Sequence, residues 1–345
     1  MATRANWPMT RRVALGLGVA GIATIISACQ DSASSTAQST SPTLPGSVTA
    51  DPSTTSGATL GASASPSSPT SPTTATSPVA TGLISVLLLG SDSRSSATSL
   101  QGSSDVITLA QLSGDRTRLN LVSIARDTAV THPSGRVGKI NAIYASSGAA
   151  GMKRAVSDLF GGLPISATVE TGFVGFTALS TILDGFTVDN KHRSSSLGPT
   201  FPAGQIRLIG EPALLYVRER KSLPNGDLDR TERHRAALKG MLLRLSALAA
   251  GADSSTAELV GRLWGQVRAT GITREDALTL LPVVKAARTL TITSVMVPIS
   301  RFGMINGASV DILNTGRTAE LAAALRSGDL TAYVTKYGTS NAPTG

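Results

Sequence analysis

The chain has 345 residues, and its 31 lysine and arginine residues outnumber its 22 aspartate and glutamate residues, which gives a net charge of +9 at pH 7. This balance favours anionic partners such as phosphates, anionic lipids or wall polymers. Nucleic acid is disfavoured as a partner because the chain begins with an export signal and only 3% of its residues are aromatic, few for base stacking.

Residues 1–29 form a predicted signal peptide that ends in a lipobox. Arg4, Arg11 and Arg12 make a basic start, and the apolar run that follows, residues 13–28, is shorter than the roughly 20 residues that span a bilayer. The run ends in Ile-Ser-Ala-Cys, so Cys29, the only cysteine, is the expected lipidated residue. We therefore expect an exported lipoprotein on the outer face of a bacterial cytoplasmic membrane. An uncleaved membrane anchor is the alternative.

Residues 30–81 predict a disordered tether. The segment is rich in Ser, Thr, Pro and Ala, contains no aromatic residue, and has only Asp31 and Asp51 as charged residues. Such a segment cannot bury enough apolar surface to offset its ordering entropy. Residues 338–345 are expected to be a disordered tail, which leaves residues 82–337 as a single folded domain.

The folded part alternates predicted strands and helices, which favours an α/β sheet with helices on its faces. The predicted strands are residues 83–89, 104–111, 118–124, 165–170 and 290–297. The predicted helices are residues 151–160, 173–183, 231–246, 254–267, 274–288 and 317–327.

A basic stretch, residues 216–235, divides this folded part. It contains six cations: Arg218, Arg220, Lys221, Arg230, Arg233 and Arg235. A Pro-Asn-Gly turn separates the first three from the last three, so guanidinium groups converge from two elements. Arg230 and Arg233 are expected to share one helix face. Such a set suits a multiply charged oxyanion, because each guanidinium offers a planar fork of donors. A solvated basic helix start is the alternative.

Asp92 and Asp105 lie at the end of one predicted strand and the start of the next. If those strands are neighbours, the two carboxylates meet, and paired carboxylates with phosphate oxygens suit Mg²⁺. A turn-capping aspartate beside a strand-edge aspartate is the alternative. The three histidines have no zinc spacing, and the chain contains neither a Gly-rich nucleotide fingerprint nor a Gly-x-Ser-x-Gly elbow.

Six short motifs occur in the order seen in LytR-CpsA-Psr proteins: residues 90–94, 104–106, 123–127, 139–144, 216–220 and 227–233. The chain resembles this family over about residues 83–245. The resemblance implies a single-domain three-layer α-β-α sandwich with a mixed central sheet. It also implies a Mg²⁺-dependent phosphotransferase, with Mn²⁺ as the alternative metal. The expected reaction moves a glycopolymer from a polyprenyl-pyrophosphate carrier to the muramic acid 6-hydroxyl of peptidoglycan and leaves a phosphodiester.

The resemblance also implies roles for individual residues. Asp92 and Asp105 become the pair that holds the metal and the pyrophosphate. Asp227 becomes the candidate for activating the acceptor hydroxyl. The expected pyrophosphate clamp is Arg126, Arg218, Arg220 and Arg230. The expected substrate-binding residues are Arg94, Lys139, Asn141, Arg233 and His234, the last as a hydrogen-bond donor to phosphate.

Three positions depart from the family pattern. Ser103 stands where the family usually has Arg, His234 where it usually has Gln, and Asp229 where it usually has Gly. The loss of one cation would weaken transition-state stabilisation. Asp229 receives no catalytic role.

The lipid tail of such a substrate needs an apolar channel. Phe173, Phe176, Leu179 and Ile182, spaced along one predicted helix, could line it, although ordinary core packing is the favoured interpretation of these four residues.

Three other functions compete with the transferase. A polyprenyl-pyrophosphate hydrolase would use water in place of the sugar hydroxyl. A non-catalytic binder of phosphorylated lipid or wall polymer is motivated by Ser103 and His234. A structural wall lipoprotein would leave the aspartates and the arginines unexplained.

Overall fold

The computed structural model describes residues 82–94, 100–251, 253–340 and 343. The predicted signal peptide, Cys29 and the tether lie outside the described residues, as does half of the predicted tail. Among the helices of the described part, none is both long enough and apolar enough to cross a membrane.

Strands and helices alternate through the described residues. The strands are β1 Ile84–Ser91, β2 Ser104–Leu112, β3 Arg118–Ser123, β4 Ala129–Thr131, β5 Val137–Lys139, β6 Ala167–Thr171, β7 Phe186–Asn190, β8 Gly204–Leu208, β9 Arg268–Thr270, β10 Thr291–Met296, β11 Ile299–Ile305 and β12 Ala308–Leu313. The helices are α1 Asn141–Leu159, α2 Phe173–Ile182, α3 Gly210–Arg218, α4 Asp227–Leu248, α5 Asp253–Trp264, α6 Arg274–Thr279, α7 Leu281–Lys285, α8 Thr315–Ser327 and α9 Thr331–Tyr337.

Six strands form a central sheet in the order β10-β3-β2-β1-β6-β9. The pairs β1–β2, β2–β3 and β6–β9 are antiparallel, whereas β1–β6 and β3–β10 are parallel. β2 contacts both α1 and α4, which belong to different helix layers. The expected α/β fold, a mixed sheet covered by helices, is therefore confirmed.

The main core lies between the sheet and the layer that contains α1 and α8. Leu87 and Leu109 point inward from β1 and β2, and Met152 and Leu321 meet them from the helices, all with no exposed surface. Side chains alternate between the two faces of a strand. For this reason Leu88, the neighbour of Leu87, faces the opposite helix layer, where it lines an apolar pocket with α2, α3 and α4.

The structure differs from the helix prediction at α1 and over residues 274–288, and α3 and α9 were not predicted. α1 begins at Asn141, ten residues before the predicted start, and Gly148 interrupts it with φ 58° and ψ −161°. The glycines at this kink weaken the helical pattern that precedes residue 151. The predicted helix over residues 274–288 is two short helices, and Pro282 lies in the first turn of the second one. Proline is tolerated there because that turn needs no backbone donor.

Three hairpins were not predicted: β4–β5, β7–β8 and β11–β12. β7 does carry a strand signal, because Phe186, Val188 and Asn190 are buried while the residues between them are exposed. This hairpin matters for the site because β7 packs directly on α4.

Gly240 makes the close approach of α4 to β7 possible. A Cβ atom at this position would lie 2.5 Å from the carbonyl oxygen of Thr187. We predict that Gly240→Ala lowers the free energy of unfolding by about 1–3 kcal/mol, because overpacking against a backbone atom outweighs the better helix propensity of alanine. Chemical denaturation measures this change.

Gly261→Ala in α5 is the matched control. Its Cβ would meet only the Arg274 side chain, at an ordinary 3.7 Å. The control should gain up to about 1 kcal/mol. Equal effects of the two substitutions would contradict the proposed packing.

Candidate functional site

The topology of the sheet places several motif residues at one edge. β1 and β3 are both antiparallel to β2 and therefore run in the same direction. Their carboxyl ends and the amino end of β2 lie at the same edge, where open α/β sheets bind ligands. Asp92 follows β1, Arg126 follows β3, and Asp105 is the second residue of β2.

Asp92 caps the turn that leads into β2. Its backbone N–H donates to the Ser103 carbonyl oxygen at 3.1 Å, and its Oδ1 accepts from the Ser103 N–H at 2.9 Å. Gly102 has φ 90°, and a Cβ there would come within 2.2 Å of Asp92 Oδ1. β1 and β2 are thus neighbours, as the paired-carboxylate interpretation requires. One oxygen of Asp92 serves the turn, and the exposed carboxylate keeps Oδ2 for another partner.

Asp105 joins two arginines from different elements. Its Oδ1 accepts from Arg126 Nη1 at 2.9 Å, and its Oδ2 accepts from Arg230 Nη1 at 3.3 Å. The Arg230 side chain, from the first turn of α4, is only 6% exposed. Burial lowers the pKa of Arg126, but the hydrogen bond to Asp105 and the nearby carboxylates outweigh it and raise that pKa above its usual value.

Asp227, the first residue of α4, completes the group. Its Oδ1 lies 2.5 Å from Arg230 Nη2 and 3.7 Å from Arg126 Nε. Burial raises the pKa of Asp227, although Arg230 and Arg126 act in the opposite direction. We call Asp105, Arg126, Asp227 and Arg230 the charged cluster.

The charged cluster has unused hydrogen-bonding capacity. Both carboxylate oxygens of Asp227 are buried, and neither makes a hydrogen bond of good geometry within the described residues. The same holds for Nε of Arg126 and for Nε and Nη2 of Arg230. Buried polar atoms are normally paired. These atoms form ion pairs but no hydrogen bonds of good geometry with one another, and such a group is suited to a ligand that offers both donors and acceptors.

Two further aspartates extend the charged cluster, and sequence reasoning gave them no role. Asp127 Oδ1 lies 3.0 Å from Lys139 Nζ, and its carbonyl oxygen accepts from the Asp311 N–H at 2.9 Å. Burial, followed by the charges of Asp127 and Asp227, raises the pKa of Asp311 to about 6. Asp127 lies inside a family motif and could have been found there. Asp311 lies in the unpredicted hairpin β11–β12 and had no local signal.

The side chain of Lys139 thus lies beside the charged cluster, whereas Asn141 contacts the cluster only through its backbone N–H. The Asn141 N–H donates to the Arg126 carbonyl oxygen at 3.2 Å, which supports the loop that carries Arg126.

Three predicted cations have no ion pair with the described residues. Arg218 ends α3, and its guanidinium lies 4.5 Å from the centre of the Phe173 ring. Arg94 and Arg220 are exposed. These three side chains can receive an anionic ligand without first breaking an ion pair in the described part of the chain.

The placement of Arg233 corrects the prediction that it binds substrate together with Arg230. Its buried guanidinium donates to Asn190 Oδ1 at 3.1 Å, to the His192 carbonyl oxygen at 2.9 Å and to Ser194 Oγ at 2.8 Å. It also lies 4.3 Å from the centre of the Tyr216 ring. Spacing on a helix fixes the direction of Cβ but not the partner that a long side chain reaches. Arg233 is a structural anchor for the segment after β7.

His234 also departs from its predicted role. Its Nε2 lies 2.9 Å from the Val217 carbonyl oxygen, which can only accept, so Nε2 carries the proton. Burial, with Arg230 nearby, lowers the pKa of His234 to about 3 and keeps the ring neutral. Nδ1 is then an acceptor, so His234 cannot donate a hydrogen bond to phosphate in this arrangement.

An apolar pocket of about 170 Å³ opens beside the charged cluster. Phe173, Phe176 and Leu179 of α2 line it, as do Asp105, Arg218 and Arg230 at its polar end. Three of the four residues considered for a lipid channel therefore line a pocket, and Ile182 does not. Phe173 and Phe176 are only partly buried, and Phe176 also packs edge to face on Phe186 of a core cluster, so this helix face both lines the pocket and contributes to the core.

Comparison with known proteins identifies the family. The profile of the LytR_cpsA_psr family matches residues 53–327. The chain belongs to the LytR-CpsA-Psr family. A curated family relative is the polyisoprenyl-teichoic acid–peptidoglycan teichoic acid transferase TagU of Enterococcus faecalis, which is 36% identical over 165 residues. That match covers 48% of this chain and 54% of the relative, so the chain spans about half the length of the curated relative it matches.

Solved structures share the fold of this family member. B. subtilis TagV has a TM-score of 0.60 at 21% identity, covering 72% of this chain and 98% of that one. TagT bound to LIIa-WTA has a TM-score of 0.58 at 22% identity, and the match covers 71% of this chain and 90% of that one. At this level of identity the likeness shows the fold alone.

The structural role of Arg233 can be measured. We predict that Arg233→Ala lowers the free energy of unfolding by about 3 kcal/mol, because it leaves the buried acceptors of Asn190 and Ser194 without their donor. Arg136→Ala, at an exposed position, should change it by less than about 0.5 kcal/mol. Urea denaturation of both variants tests this. An unchanged stability in Arg233→Ala would return Arg233 to the substrate-binding set.

Proposed function

We propose that this chain transfers a glycopolymer from a polyprenyl-pyrophosphate carrier to the muramic acid 6-hydroxyl of peptidoglycan and forms a phosphodiester. The observation that carries the proposal is the charged cluster at the mouth of an apolar pocket. A substrate with a pyrophosphate next to a lipid tail needs both surfaces side by side. The name of the E. faecalis relative, a teichoic acid transferase, supports the same class of reaction.

The balance of charges around the cluster indicates that further cations are needed to bind pyrophosphate. The cluster and its extension contain four carboxylates, Asp105, Asp127, Asp227 and Asp311, against three cations, Arg126, Arg230 and Lys139. Pyrophosphate adds more negative charge, which these groups alone cannot neutralise. In the proposal Arg218 and Arg220 complete the clamp, with Arg94 as a helper, because they are free of ion pairs within the described residues.

Magnesium fits the donor set at the strand ends. Asp92 and Asp105 would hold the ion, because both offer carboxylate oxygens, the ligands that Mg²⁺ prefers together with phosphate oxygens. Asp92 keeps one oxygen beyond its bond to Ser103, and each oxygen of Asp105 has a further lone pair beside its arginine. When bound, the ion would neutralise charge on the pyrophosphate oxygens.

The proposed reaction is a phosphoryl transfer directed by positioning. The acceptor oxygen attacks the phosphorus that carries the polymer, its bond to the bridging oxygen breaks, and polyprenyl phosphate leaves with the electron pair. Asp227 takes the hydroxyl proton, and its raised pKa suits that task. Arg126, Arg218, Arg220 and Arg230 stabilise the charge that builds on the leaving phosphate.

The pH dependence of the reaction follows from Asp227. A raised pKa keeps this carboxyl protonated to a higher pH than an ordinary aspartate, and only the ionised form can accept the proton. We predict that kcat/KM falls as the pH drops through this raised pKa, above the usual aspartate value of 3.8. Asp227→Ala should abolish turnover and retain carrier binding. Full activity of Asp227→Ala would remove Asp227 as the base.

The proposal places the enzyme outside the cytoplasm. A lipid on Cys29 would hold it at the outer face of the membrane, within reach of the lipid-linked donor and the peptidoglycan acceptor. To test this anchor, cells are labelled with a fatty acid that carries an alkyne. The label on the parent protein is then compared with the label on Cys29→Ala.

The reaction itself is tested by release of polyprenyl phosphate from a lipid-linked donor, with the full-length chain in detergent, Mg²⁺ and a peptidoglycan acceptor. We expect metal-dependent release that Asp105→Ala and Arg218→Ala abolish. Arg154→Ala, whose side chain is 82% exposed, should leave the rate unchanged. Binding without release would favour the non-catalytic binder. Release that does not depend on a peptidoglycan acceptor would favour the hydrolase.

The lipid pocket makes a separate prediction. Leu214 lines the pocket from α3, so Leu214→Trp should fill it and weaken binding of a long-chain polyprenyl pyrophosphate by roughly tenfold, which corresponds to about 1.4 kcal/mol. A short-chain analogue should bind as before. Val174→Trp, at a position of α2 that is 50% exposed, is the control. Equal binding of both chain lengths by Leu214→Trp would contradict the pocket assignment.

A further inference from the structure

A second, larger cleft lies along the side of α4 that faces away from the apolar pocket. Its volume is about 1210 Å³, and α4, the hairpin β7–β8 and β10 line it. Asp229 and Glu232 line it from α4, and His192 lines it from the segment that follows β7. One imidazole nitrogen and two carboxylate oxygens, one from each of these residues, lie within 4.8 Å of one another.

We propose that His192, Asp229 and Glu232 form a binding site for a divalent transition-metal ion of the zinc class. Zn²⁺ takes imidazole nitrogen and carboxylate oxygen as ligands and, with three protein ligands, keeps a fourth position for water. The open cleft supplies access for that water. Because the three donor atoms are already grouped, rotation of the side chains is enough to bring them onto one ion.

The surrounding contacts hold two of the ligands in place. Asp229 accepts from the Asn225 backbone N–H at 2.8 Å and from Asn225 Nδ2 at 3.1 Å, so both its oxygens are oriented. Arg233 donates to the carbonyl oxygen of His192 at 2.9 Å and fixes the backbone there. Outer contacts of this kind orient metal ligands and increase affinity.

The imidazole of His192 itself is free to bind. Within the described residues it makes no hydrogen bond or ion pair, and it is half-buried in the cleft. Asp229 and Glu232 are three residues apart and so share a face of α4. Two ligands thus come from α4, and the third comes from the segment after β7 in a hairpin that was not predicted. For this reason the three residues show no zinc-binding spacing in the sequence.

Lys191 is the competing cation. Its Nζ pairs with Glu232 Oε1, and its side chain is 60% exposed. An exposed ion pair contributes little to stability, so a metal ion can displace this lysine at small cost. Arg235, which is buried nearby, contributes positive charge that acts on Glu232. Lys191 is thus the removable competitor, whereas the buried Arg233 and Arg235 stay in place beside the two carboxylates.

The site is separate from the proposed chemistry. None of its three ligands belongs to the charged cluster or to the proposed pyrophosphate clamp. A bound ion would tie the segment after β7 to the first turns of α4, the helix that carries Asp227 and Arg230. The inference does not depend on the transfer reaction.

Titration calorimetry with Zn²⁺ tests the site, using full-length protein without an affinity tag, stripped with a chelator and dialysed. We expect one tight equivalent that remains in Asp105→Ala, which alters the charged cluster and the proposed Mg²⁺ site but none of the three ligands. Asp229→Gly and His192→Ala should weaken this binding by more than about tenfold. Asp189→Asn, an exposed acid in the same cleft, is the matched control and should bind as the parent does.

Lys191→Ala sharpens the test, because removal of the competitor should increase Zn²⁺ affinity. Circular dichroism checks that each variant is folded, and a rise in melting temperature on adding Zn²⁺ should occur in the parent but not in Asp229→Gly. Equal Zn²⁺ binding by the parent, Asp229→Gly and His192→Ala would overturn the proposal. Weaker binding by Lys191→Ala would overturn it as well.

Discussion

The bridge from Arg126 through Asp105 to Arg230 organises the rest of the site. It connects the loop after β3, the start of β2 and the first turn of α4, three parts of the chain that come together only in the folded sheet. Breaking a partly buried pair of this kind costs several kcal/mol, whereas an apolar replacement of the whole set can be neutral. Stability alone therefore does not account for it. The free donors and acceptors beside the bridge are best explained by a polar ligand.

Helix α4 is the element through which this bridge acts on the remaining structure. One side of it carries Arg230 and Met241 to the apolar pocket, and another carries Asp229 and Glu232 to the larger cleft. The close contact at Gly240 sets its distance from β7. The same helix therefore forms a wall of both cavities.

Much of the fold was predictable because it rests on local patterns. The apolar runs located β1, β2, β3 and β10 to within one or two residues, and the short motifs located Asp105, Arg126, Asp227 and Arg230. The errors involve partners distant in sequence. Helix spacing placed Arg233 beside Arg230, but acceptors on the segment after β7 draw its guanidinium away. His234 was predicted to donate to phosphate because histidine can donate a hydrogen bond, but its Nε2 proton is used by the Val217 carbonyl oxygen of α3. Asp311 and the set of His192, Asp229 and Glu232 could be recognised only from tertiary contacts.

The central claim is that the charged cluster joins a lipid-linked polymer to peptidoglycan through phosphorus. Its most direct measurement gives the purified full-length chain a donor labelled with ³²P at the polymer-linked phosphate, together with peptidoglycan as the acceptor. After digestion of the peptidoglycan, we expect label in a phosphodiester between polymer and muramic acid. We also expect this label to be absent with Asp105→Ala. Label found only in a free phosphorylated polymer, or left on the donor, would contradict the account.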